Sequence, residues 1–404
     1  MRILILGGGY AGLRAALDLA ALRREGQLPP GVEVDLVERS PCHQVIFWMH
    51  QVAAGTLTPE EACIDYGRLP LDGIALHQAE VQGIDPAKGK VHTSAGDLAY
   101  DALILALGSV PRMPEIPGLA ESAYPLRDRA DAERLYSGLE TAYARAAMAG
   151  DPELHRRLLT TVIAGGGYTG CQLAGELAHR LPDLADRHGI RTRNIRLLLL
   201  EGRERLLPEM DACHGRAARE ILEAKGVEIR TGTPLERVTE ETAVAGGEGI
   251  AYGTLGWTGG IRGPALLAES GLPVSPDGRL RVGAFLSCPD HPEVFGGGDC
   301  IQRTADDPAP GPPPTATEAM HQGRYLAGRL RDRLLGRSSL PYRPNRLGLL
   351  VALGGGDAVG TIGPAPVRGR MAGIVKNGAE RSYPDTLRGV RPDAFLSPDF
   401  LRPA

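Results

Sequence analysis

Two stretches of the chain repeat the same order of apolar, glycine and polar positions. In the first, an apolar run at residues 2–6 leads into Gly7–Gly12 (GGGYAG), and an alanine- and leucine-rich segment follows at residues 13–22. A short apolar run predicts a buried strand, and the segment after the glycines predicts a helix. A further apolar run at residues 32–37 ends in Glu38. The pattern therefore predicts a strand, a glycine turn, a helix and a second strand that ends in an acid.

The same order returns in the middle of the chain. An apolar run at residues 158–164 leads into Gly165–Gly170 (GGGYTG), and a helical pattern follows at residues 171–181. The apolar run at residues 195–200 then ends in Glu201. This internal repeat predicts two copies of one structural unit in the fold.

The spacing of the glycines indicates what each unit binds. In the order G-x-G-x-x-G, Gly7 permits the tight turn, Gly9 lets the backbone approach a pyrophosphate, and Gly12 lets the helix pack against the strand. The start of the helix adds free N–H groups and the positive end of its dipole. A carboxylate at the end of the next strand, here Glu38, accepts hydrogen bonds from a ribose hydroxyl. Two such units predict two bound dinucleotides.

Glu201 bears on the choice of nicotinamide nucleotide. A carboxylate at this position binds the free 2′-hydroxyl of NADH and repels the 2′-phosphate of NADPH, so we expect NADH. Arg203 and Arg205 follow closely and keep NADPH open as an alternative.

The rest of the pattern divides into short strands, helices and linkers. Before the second glycine turn, it predicts a strand at 74–84, a hairpin of 90–93 with 97–100, a buried strand at 101–109, a proline-rich linker at 111–117 and a helix at 128–149. After it, the pattern predicts a helix at 216–226, strands at 227–230, 237–244 and 255–257, a short strand before Asp299 and a helix at 312–330. Asp299 directly follows glycines, where its carboxylate is placed to bind a ribityl hydroxyl.

Composition narrows the class of protein. The 404 residues suggest two or three domains. Aromatic residues make up only 4% of the chain and the formal net charge is −4, which argues against a nucleic-acid partner. The chain enters a predicted strand at residue 2, so we expect no signal peptide, and no apolar run reaches the length of a membrane span.

The six cysteines show no pairing pattern. They stand at positions 42, 63, 171, 213, 288 and 300 and form no C-x-x-C motif. Their spacing therefore predicts neither a redox disulfide nor a zinc site. Few, unpatterned cysteines are typical of a reducing cytoplasm.

Several of these stretches together resemble the flavoproteins with two dinucleotide-binding domains, and most closely the type II NADH:quinone oxidoreductases. Gly7–Gly12 with Glu38 resembles the family's FAD motif, and Gly165–Glu176 with Glu201 resembles its NADH motif. Further matches are a strand motif at Asp101–Ser109 with Leu107 in place of Thr, a second FAD motif at Phe295–Cys300, and the flavin-side residues His43 and His50–Gly55. The resemblance extends over about residues 1–330.

The resemblance implies an α/β fold of two Rossmann-like domains, in which an NAD domain is inserted into a glutathione-reductase-like FAD domain. The expected limits are residues 1–110 and 265–330 for the FAD-binding domain, 111–264 for the NAD(P)H-binding domain, and 331–404 for a small C-terminal region. It also implies FAD and NADH as cofactors, with electrons passing from NADH through the flavin to a quinone or another small acceptor. Because the flavin carries this chemistry, few side chains need to act as acids or bases.

The residues that the resemblance implies for binding and catalysis surround the two glycine turns. The expected cofactor-binding residues are Gly7, Gly9, Tyr10, Ala11, Gly12, Glu38, Arg39, His43, Val81, Ala106, Gly108, Gly165, Gly167, Gly170, Glu201, Gly259, Gly298, Asp299 and Thr317. The expected catalytic residues, near the nicotinamide and the acceptor, are Gln172, Glu176, His321 and Gln322. No metal site is expected.

The chain departs from the family pattern on the acceptor side. Gln172 stands where the family usually has Glu, which removes a candidate proton handler. Thr317 and His321 replace two glutamines of the quinone-side helix, and a near-neutral pKa would let His321 protonate a reduced quinone. Three prolines in residues 388–404 interrupt the apolar positions of the family's membrane anchor.

Two other functions stay open on the sequence alone. A sulfide:quinone reductase needs cysteines beside the flavin, and only Cys171 and Cys300 lie near the expected region. A small buried residue at the start of a helix is the simpler interpretation of Cys171. A flavoprotein redox sensor without turnover would also fit the altered quinone-side helix. We expect a cytoplasmic protein, with peripheral contact to the inner face of the cell membrane and a homodimer as open alternatives.

Overall fold

The computed structural model describes residues 1–304, 314–344 and 347–389, which form an α/β fold. The helices are α1 (Tyr10–Arg24), α2 (Met49–Ala53), α3 (Leu119–Ser122), α4 (Arg129–Met148), α5 (Pro152–Leu158), α6 (Tyr168–Arg187), α7 (Ala212–Ala224), α8 (Ala265–Glu269), α9 (Ala316–Leu334) and α10 (Gly369–Leu387). The strands are β1 (Arg2–Leu6), β2 (Glu33–Glu38), β3 (Cys42–Gln44), β4 (Cys63–Asp65), β5 (Ala75–Gln78), β6 (Val81–Asp85), β7 (Lys90–Thr93), β8 (Gly96–Ala99), β9 (Ala102–Leu105), β10 (Val110–Pro111), β11 (Tyr124–Pro125), β12 (Thr160–Ala164), β13 (Arg196–Leu200), β14 (Val227–Arg230), β15 (Leu235–Val238), β16 (Thr242–Ala245), β17 (Glu248–Ala251), β18 (Thr254–Trp257), β19 (Ile261–Arg262), β20 (Leu280–Val282), β21 (Val294–Gly296), β22 (Ile301–Arg303), β23 (Gly348–Ala352), β24 (Ala358–Ile362) and β25 (Ala365–Arg368).

The first parallel sheet forms around β1. Its strand order is β21-β9-β1-β2-β5, and each neighbouring pair is parallel. The side chains of Ile3–Leu6 and Ala102–Leu105 are fully buried, as expected of central strands covered on both faces. Helix α9 lies close against α1, because a Cβ at Gly323 would overlap the carbonyl oxygen of Ala11. The small residues at this crossing thus bring α9 to the start of the glycine-turn helix.

The second parallel sheet repeats the first. Its strand order is β11-β18-β12-β13-β14, again with parallel pairs throughout. In each sheet a glycine turn joins a central strand to a helix: β1 to α1 and β12 to α6. The predicted α/β class with two Rossmann-like units is therefore confirmed. The segments that connect the two units also pair with each other, since β10 and β19 form an antiparallel ribbon.

The C-terminal part of the described chain packs against both units, since Val351 and Val359 lie in a buried cluster with Leu173 and Ala218 of the second unit. Strands β23, β24 and β25 form an antiparallel sheet, and α10 follows it. Tyr383 and Leu387 of α10 pack in one buried cluster with Leu13 and Leu17 of α1. The predicted interruption of the anchor region at 388–404 falls mostly outside the described residues. Among the described residues, no helix combines the length and apolar character that a membrane crossing requires.

Two predicted strands and the cysteine prediction need correction. The predicted strand at 74–84 is two strands, because β5 joins the parallel sheet while β6 turns into an antiparallel sheet with β7 and β8. The predicted strand at 237–244 is the hairpin of β15 and β16. Cys42 and Cys63 form a disulfide across a sequence separation of 21, because the adjacent antiparallel strands β3 and β4 bring them together. Pairing between strands leaves no mark in cysteine spacing.

Candidate functional site

The first glycine turn, Gly7–Gly12, has the conformation that the spacing predicts. Gly7 has a φ of 99°, and a Cβ there would overlap the carbonyl oxygen of Ala106 on the neighbouring strand segment. A Cβ at Gly12 would overlap the carbonyl oxygen of Gly7. Around Gly9, by contrast, a Cβ would meet no atom within 4 Å. The turn is therefore closed on the protein side and open beside Gly9, where a phosphate would approach.

Glu38 ties the end of β2 to this turn. Its Oε2 accepts a hydrogen bond from the Gly8 N–H at 2.6 Å, and its Oε1 accepts one from the Ser40 N–H at 2.8 Å. Each carboxylate oxygen has a second lone pair, so a ribose hydroxyl can still be bound. The carboxylate thus both shapes the turn and faces the position expected for the adenosine ribose.

The carbonyl of Gly8 is held by two side chains from other parts of the chain. The Tyr66 hydroxyl donates to it at 2.9 Å, and Nδ1 of His43 lies 3.0 Å from it. Nε2 of His43 lies 2.9 Å from the Tyr383 hydroxyl on α10. Burial lowers the pKa of His43 to about 4, against the opposing effect of the Gly8 carbonyl. His43 therefore supports the turn as a neutral imidazole, with both ring nitrogens in contact with protein groups.

The second glycine turn, Gly165–Gly170, reproduces the first. Gly165 has a φ of 118°, and no atom lies within 4 Å of a Cβ at Gly167. Glu201 accepts hydrogen bonds from the N–H groups of Gly166 at 2.6 Å and Arg203 at 2.8 Å. These bonds have the same lengths as those of Glu38, so the predicted equivalence of the two acids extends to their hydrogen bonds.

Both turns fit a dinucleotide pyrophosphate. Helix α1 begins after Gly9 and α6 begins after Gly167, and neither helix start is capped by a side chain. The first N–H groups of each helix are thus available to an anion, with the helix dipole favouring negative charge. Arg205 donates to the carbonyls of Met210 and Pro208, so its guanidinium already has protein partners. The Glu201 carboxylate therefore remains placed to favour NADH over NADPH.

Asp299 lies where the second FAD motif meets the first unit. Its Oδ2 accepts hydrogen bonds from Arg127 at 2.9 Å and from the Ser109 hydroxyl at 3.2 Å. Arg127 also donates to the Ser109 carbonyl at 3.2 Å. Gly298, with a φ of 78°, makes the preceding turn, and its N–H donates to Gln322 at 2.7 Å. An arginine just before α4 thus connects the NAD-side helix to the predicted flavin ligand.

One cavity of about 690 Å³ connects the two units. Tyr10 lines it from the first glycine turn, and Gly167, Tyr168 and Thr169 line it from the second. Much of the remaining wall is apolar and includes Ile46, Phe47, Met49, Leu349, Leu350, Ile362 and Val375. A largely apolar pocket with a few polar groups is the usual form of a small-molecule site. The cavity is therefore a largely apolar space that residues of both glycine turns border.

The polar part of the wall includes side chains from three helices. Gln172 of α6 and His50 of α2 line the cavity, as do Lys376 and Glu380 of α10. Lys376 donates to Glu380 one helical turn away, and both side chains are buried. Burial raises the pKa of Glu380, with Lys376 opposing that effect and Glu176 adding to it. A buried ion pair thus faces the space opposite the second glycine turn.

The other predicted catalytic residues lie around the cavity in different settings. Glu176 is buried on α6 and accepts a hydrogen bond from the Thr56 hydroxyl at 2.6 Å. Gln322 is buried between Gly298 and Glu318, whereas His321 is half-buried on the same helix. Of this group, only Gln172 lies on the described cavity wall. The catalytic roles of Glu176, His321 and Gln322 stay predictions.

The remaining predicted cofactor-binding residues are placed as follows. Thr317 lies on the cavity wall near the start of α9. Gly259 lies against the Trp257 ring, where a Cβ would overlap the indole. The side chain of Arg39 is exposed, 3.8 Å from Asp128. Ala106 and Gly108 follow β9 beside Gly7, and Val81 begins β6.

Sequence reasoning did not identify the polar groups that the segment before α4 and helix α10 bring to the site. Arg127, Lys376 and Glu380 lie outside the family motifs, and His50 lies inside a motif without a role assigned to it. One signal was available: Lys376 is one of only four lysines in the chain and stands in a helical segment with small and apolar neighbours. A rare charge in such a segment often marks a buried, paired group.

Comparison with known proteins agrees with this geometry. The family model for pyridine nucleotide-disulphide oxidoreductases matches residues 1–323. The type II NADH:quinone oxidoreductase of Staphylococcus aureus strain MSSA476 is 30% identical over 384 residues, which is 93% of each chain. The enzyme of the same name from Staphylococcus epidermidis strain ATCC 12228 is 28% identical over 380 residues, again 93% of each chain.

Solved structures share the fold at lower identity. NDH2 from Plasmodium falciparum in complex with NADH has a TM-score of 0.81 at 15% identity, and the match covers 98% of this chain and 99% of that one. The sulfide:quinone oxidoreductase from Aquifex aeolicus has a TM-score of 0.78 at 17% identity, with coverage of 97% and 92%. With the family match and the S. aureus relative, the chain belongs to the pyridine nucleotide-disulphide oxidoreductase family and, within it, to the type II NADH:quinone oxidoreductases.

Proposed function

We propose that the protein is an FAD-dependent enzyme that oxidises NADH and reduces a quinone. The observation that carries this proposal is the single cavity lined by residues of both glycine turns. When FAD is bound, it supplies the chemistry that accepts a hydride from NADH and passes electrons onward. The name shared by the staphylococcal relatives supports the same donor and acceptor.

The residues of the chain bind, orient and exclude water. Gly7–Gly12, Glu38 and Asp299 would hold FAD, and Gly165–Gly170 with Glu201 would hold the adenosine half of NADH. Tyr10 and Tyr168 lie at the starts of the two helices and both line the cavity, so they border the region between the two nucleotides. The surrounding apolar wall keeps water away from that region, which limits side reactions of the reduced flavin.

The acceptor end of the cavity suits a quinone. Leu349, Ile362 and Val375 provide an apolar surface for the ring, and Lys376 is a cation near the same wall. An ammonium group stabilises negative charge that develops on a quinone carbonyl oxygen during reduction. Gln172, in place of the family's Glu, can donate a hydrogen bond to that oxygen but cannot supply a proton.

The two alternative functions are less well supported. A sulfide:quinone reductase needs reactive thiolates, but Cys171 and Cys300 are buried and each donates to a backbone carbonyl at 3.3 Å. Burial raises the pKa of Cys300 to about 11 and raises that of Cys171 further above its ordinary value. A redox sensor without turnover would not need an apolar acceptor wall.

The spectrum of the purified protein tests the proposal. We expect a flavin spectrum that NADH bleaches and that a water-soluble benzoquinone restores in air-free solution. NADPH at the same concentration should bleach it much more slowly. A flavin that sulfide bleaches but NADH does not, or a reduced flavin that no quinone reoxidises, would contradict the proposal.

The domain limits, membrane contact and assembly state are proposals of the same kind. The limits 1–110 with 265–330, 111–264 and 331–404 are supported by the crossing ribbon of β10 and β19. Peripheral membrane contact is supported by Met371 and Ile374, which expose 73% and 65% of their surface on one face of α10. Vesicle co-sedimentation of the wild type and of a Met371→Ser, Ile374→Ser variant tests the contact, and light scattering tests for a homodimer.

A further inference from the structure

His50 has an unusual position on the cavity wall. It belongs to the short helix α2, is 3% exposed and lines the cavity. Its Nε2 is buried and has no hydrogen-bond partner among the described residues. A buried polar atom without a partner costs free energy, so such an atom beside a binding cavity points to a partner that arrives with a ligand.

The tautomer of this imidazole follows from its other contact. The backbone carbonyl of Phe47 is a hydrogen-bond partner of the ring. A carbonyl only accepts, so the ring nitrogen that faces it carries the hydrogen. Burial, together with the nearby Lys376 charge, lowers the pKa of His50 to about 3. The ring is therefore neutral at ordinary pH, and Nε2 has a free lone pair.

The charged groups nearby do not use this lone pair. The charge of Lys376 acts on His50, but its ammonium is bound to Glu380. Glu176 is bound to Thr56. Nε2 of His50 thus stands as a hydrogen-bond acceptor in the cavity wall, and the Lys376–Glu380 pair and Glu176 do not satisfy it.

We propose that His50 accepts a hydrogen bond from a hydroxyl of the reduced acceptor and so makes the site bind a hydroquinone more tightly than a quinone. The inference rests on the proposed function and adds a specificity-determining residue to it. A quinone presents only carbonyl oxygens, which cannot donate to a lone pair. The hydroquinone presents hydroxyls, so only the product can satisfy Nε2. The contact would stabilise the reduced product in the cavity and favour completion of the second electron transfer.

The test compares the binding of the two forms of one probe. The holoenzyme with bound FAD is titrated, without oxygen and without NADH, with a water-soluble short-chain benzoquinone and separately with its hydroquinone. Isothermal titration calorimetry measures both dissociation constants for the wild type, His50→Phe and His50→Gln. The phenylalanine removes the acceptor atom at similar size, whereas the glutamine keeps an oxygen that can accept. His92→Phe, on an exposed hairpin far along the chain from α2, is the matched control.

We expect His50→Phe to weaken hydroquinone binding by roughly 2- to 10-fold, the usual effect of one neutral hydrogen bond, and to leave quinone binding within about 2-fold. Glutamine should restore part of the loss, and His92→Phe should change neither constant. Equal weakening of both forms, or no weakening of either, would overturn the inference. Loss of FAD from both His50→Phe and the smaller His50→Leu would also overturn it, because the residue would then serve the flavin. A wild type that fails to reduce the quinone with NADH would instead overturn the proposed function.

Discussion

The two glycine turns have the same backbone but different surroundings. Ala11 of the first turn is 4% exposed, because α9 and the Gly298 turn lie against it. The equivalent residue of the second turn, Thr169, is exposed and lines the cavity. A nucleotide on the first turn would be covered by later parts of the chain, whereas one on the second could enter and leave. The comparison shows how one unit, used twice, can serve a resident cofactor and an exchanging substrate.

The two turns also differ in which parts of the chain support them. The Gly8 carbonyl is held by Tyr66 and by His43, and His43 is in turn held by Tyr383 of α10. The corresponding carbonyl of Gly166 is met by the thiol of Cys171, one turn along its own helix. The first turn therefore depends on distant elements, and the second is supported locally.

Substitution of the last glycine of each turn should have the largest effect. In both Gly12→Ala and Gly170→Ala the new Cβ overlaps a backbone carbonyl, an overpacking that costs about 3 kcal/mol. We expect Gly12→Ala to purify without flavin. Gly170→Ala should retain FAD but need far more NADH to bleach it. The flavin-to-protein ratio and an NADH titration measure the two effects, and equal flavin loss in both variants would contradict separate sites.

Loss of the Cys42–Cys63 disulfide should come next. The bond joins β3, which carries His43, to β4, which leads into Tyr66. Closing a loop of this length stabilises a fold by about 3 kcal/mol. Cys63→Ser should lose about that much in non-reducing urea unfolding and should also release FAD more readily. The exposed Cys213→Ser should match the wild type, and a denatured wild type with all six cysteines reactive would contradict the disulfide.

The first turn should also be sensitive to acid through His43. Its pKa is lowered to about 4 in the folded state, so the unfolded chain binds more protons below its ordinary pKa of about 6.5. This contribution is present at pH 7 and is lost as the pH falls from about 6.5 towards 4, which amounts to about 2 kcal/mol by pH 5. His43→Gln should lose correspondingly less stability than the wild type between pH 7 and pH 5, measured by urea unfolding. Parallel losses in the two proteins would argue that His43 is not buried as a neutral ring.

The smallest expected effects come from Glu38 and Glu201, the two carboxylates that we propose bind ribose. Glu38→Gln and Glu201→Gln each leave one acceptor oxygen for two backbone N–H donors. We expect about a 10-fold loss of affinity, from one weakened charge-assisted bond, on a different ligand in each variant. Glu201→Gln should raise the Kd for NADH and leave the flavin in place, whereas Glu38→Gln should weaken FAD alone. A change in NADH affinity in both variants would contradict the assignment of a different ligand to each turn.

Much of the fold could be predicted because its signals are local. The apolar runs of β1 and β12, the glycines of both turns and the acids at residues 38 and 201 act within one unit each, so short windows of sequence contain them. The errors arose where a segment changes partner. Residues 74–84 divide between two sheets, and residues 237–244 reverse direction, because tertiary pairing overrides a continuous apolar pattern.

By itself, the sequence determined that this protein contains two copies of one unit, each with a glycine turn and an acid at the end of its second strand. That information is local, because φ near a glycine and the burial of a short strand depend on neighbouring residues. Only the tertiary structure decided which glycine turn is covered, which cysteines pair and which polar groups line the cavity. Lys376 and Glu380 reach the cavity from α10, and Tyr383 of the same helix reaches His43, far along the chain from both turns. Their positions depend on how α10 packs, and short stretches of sequence do not encode that packing.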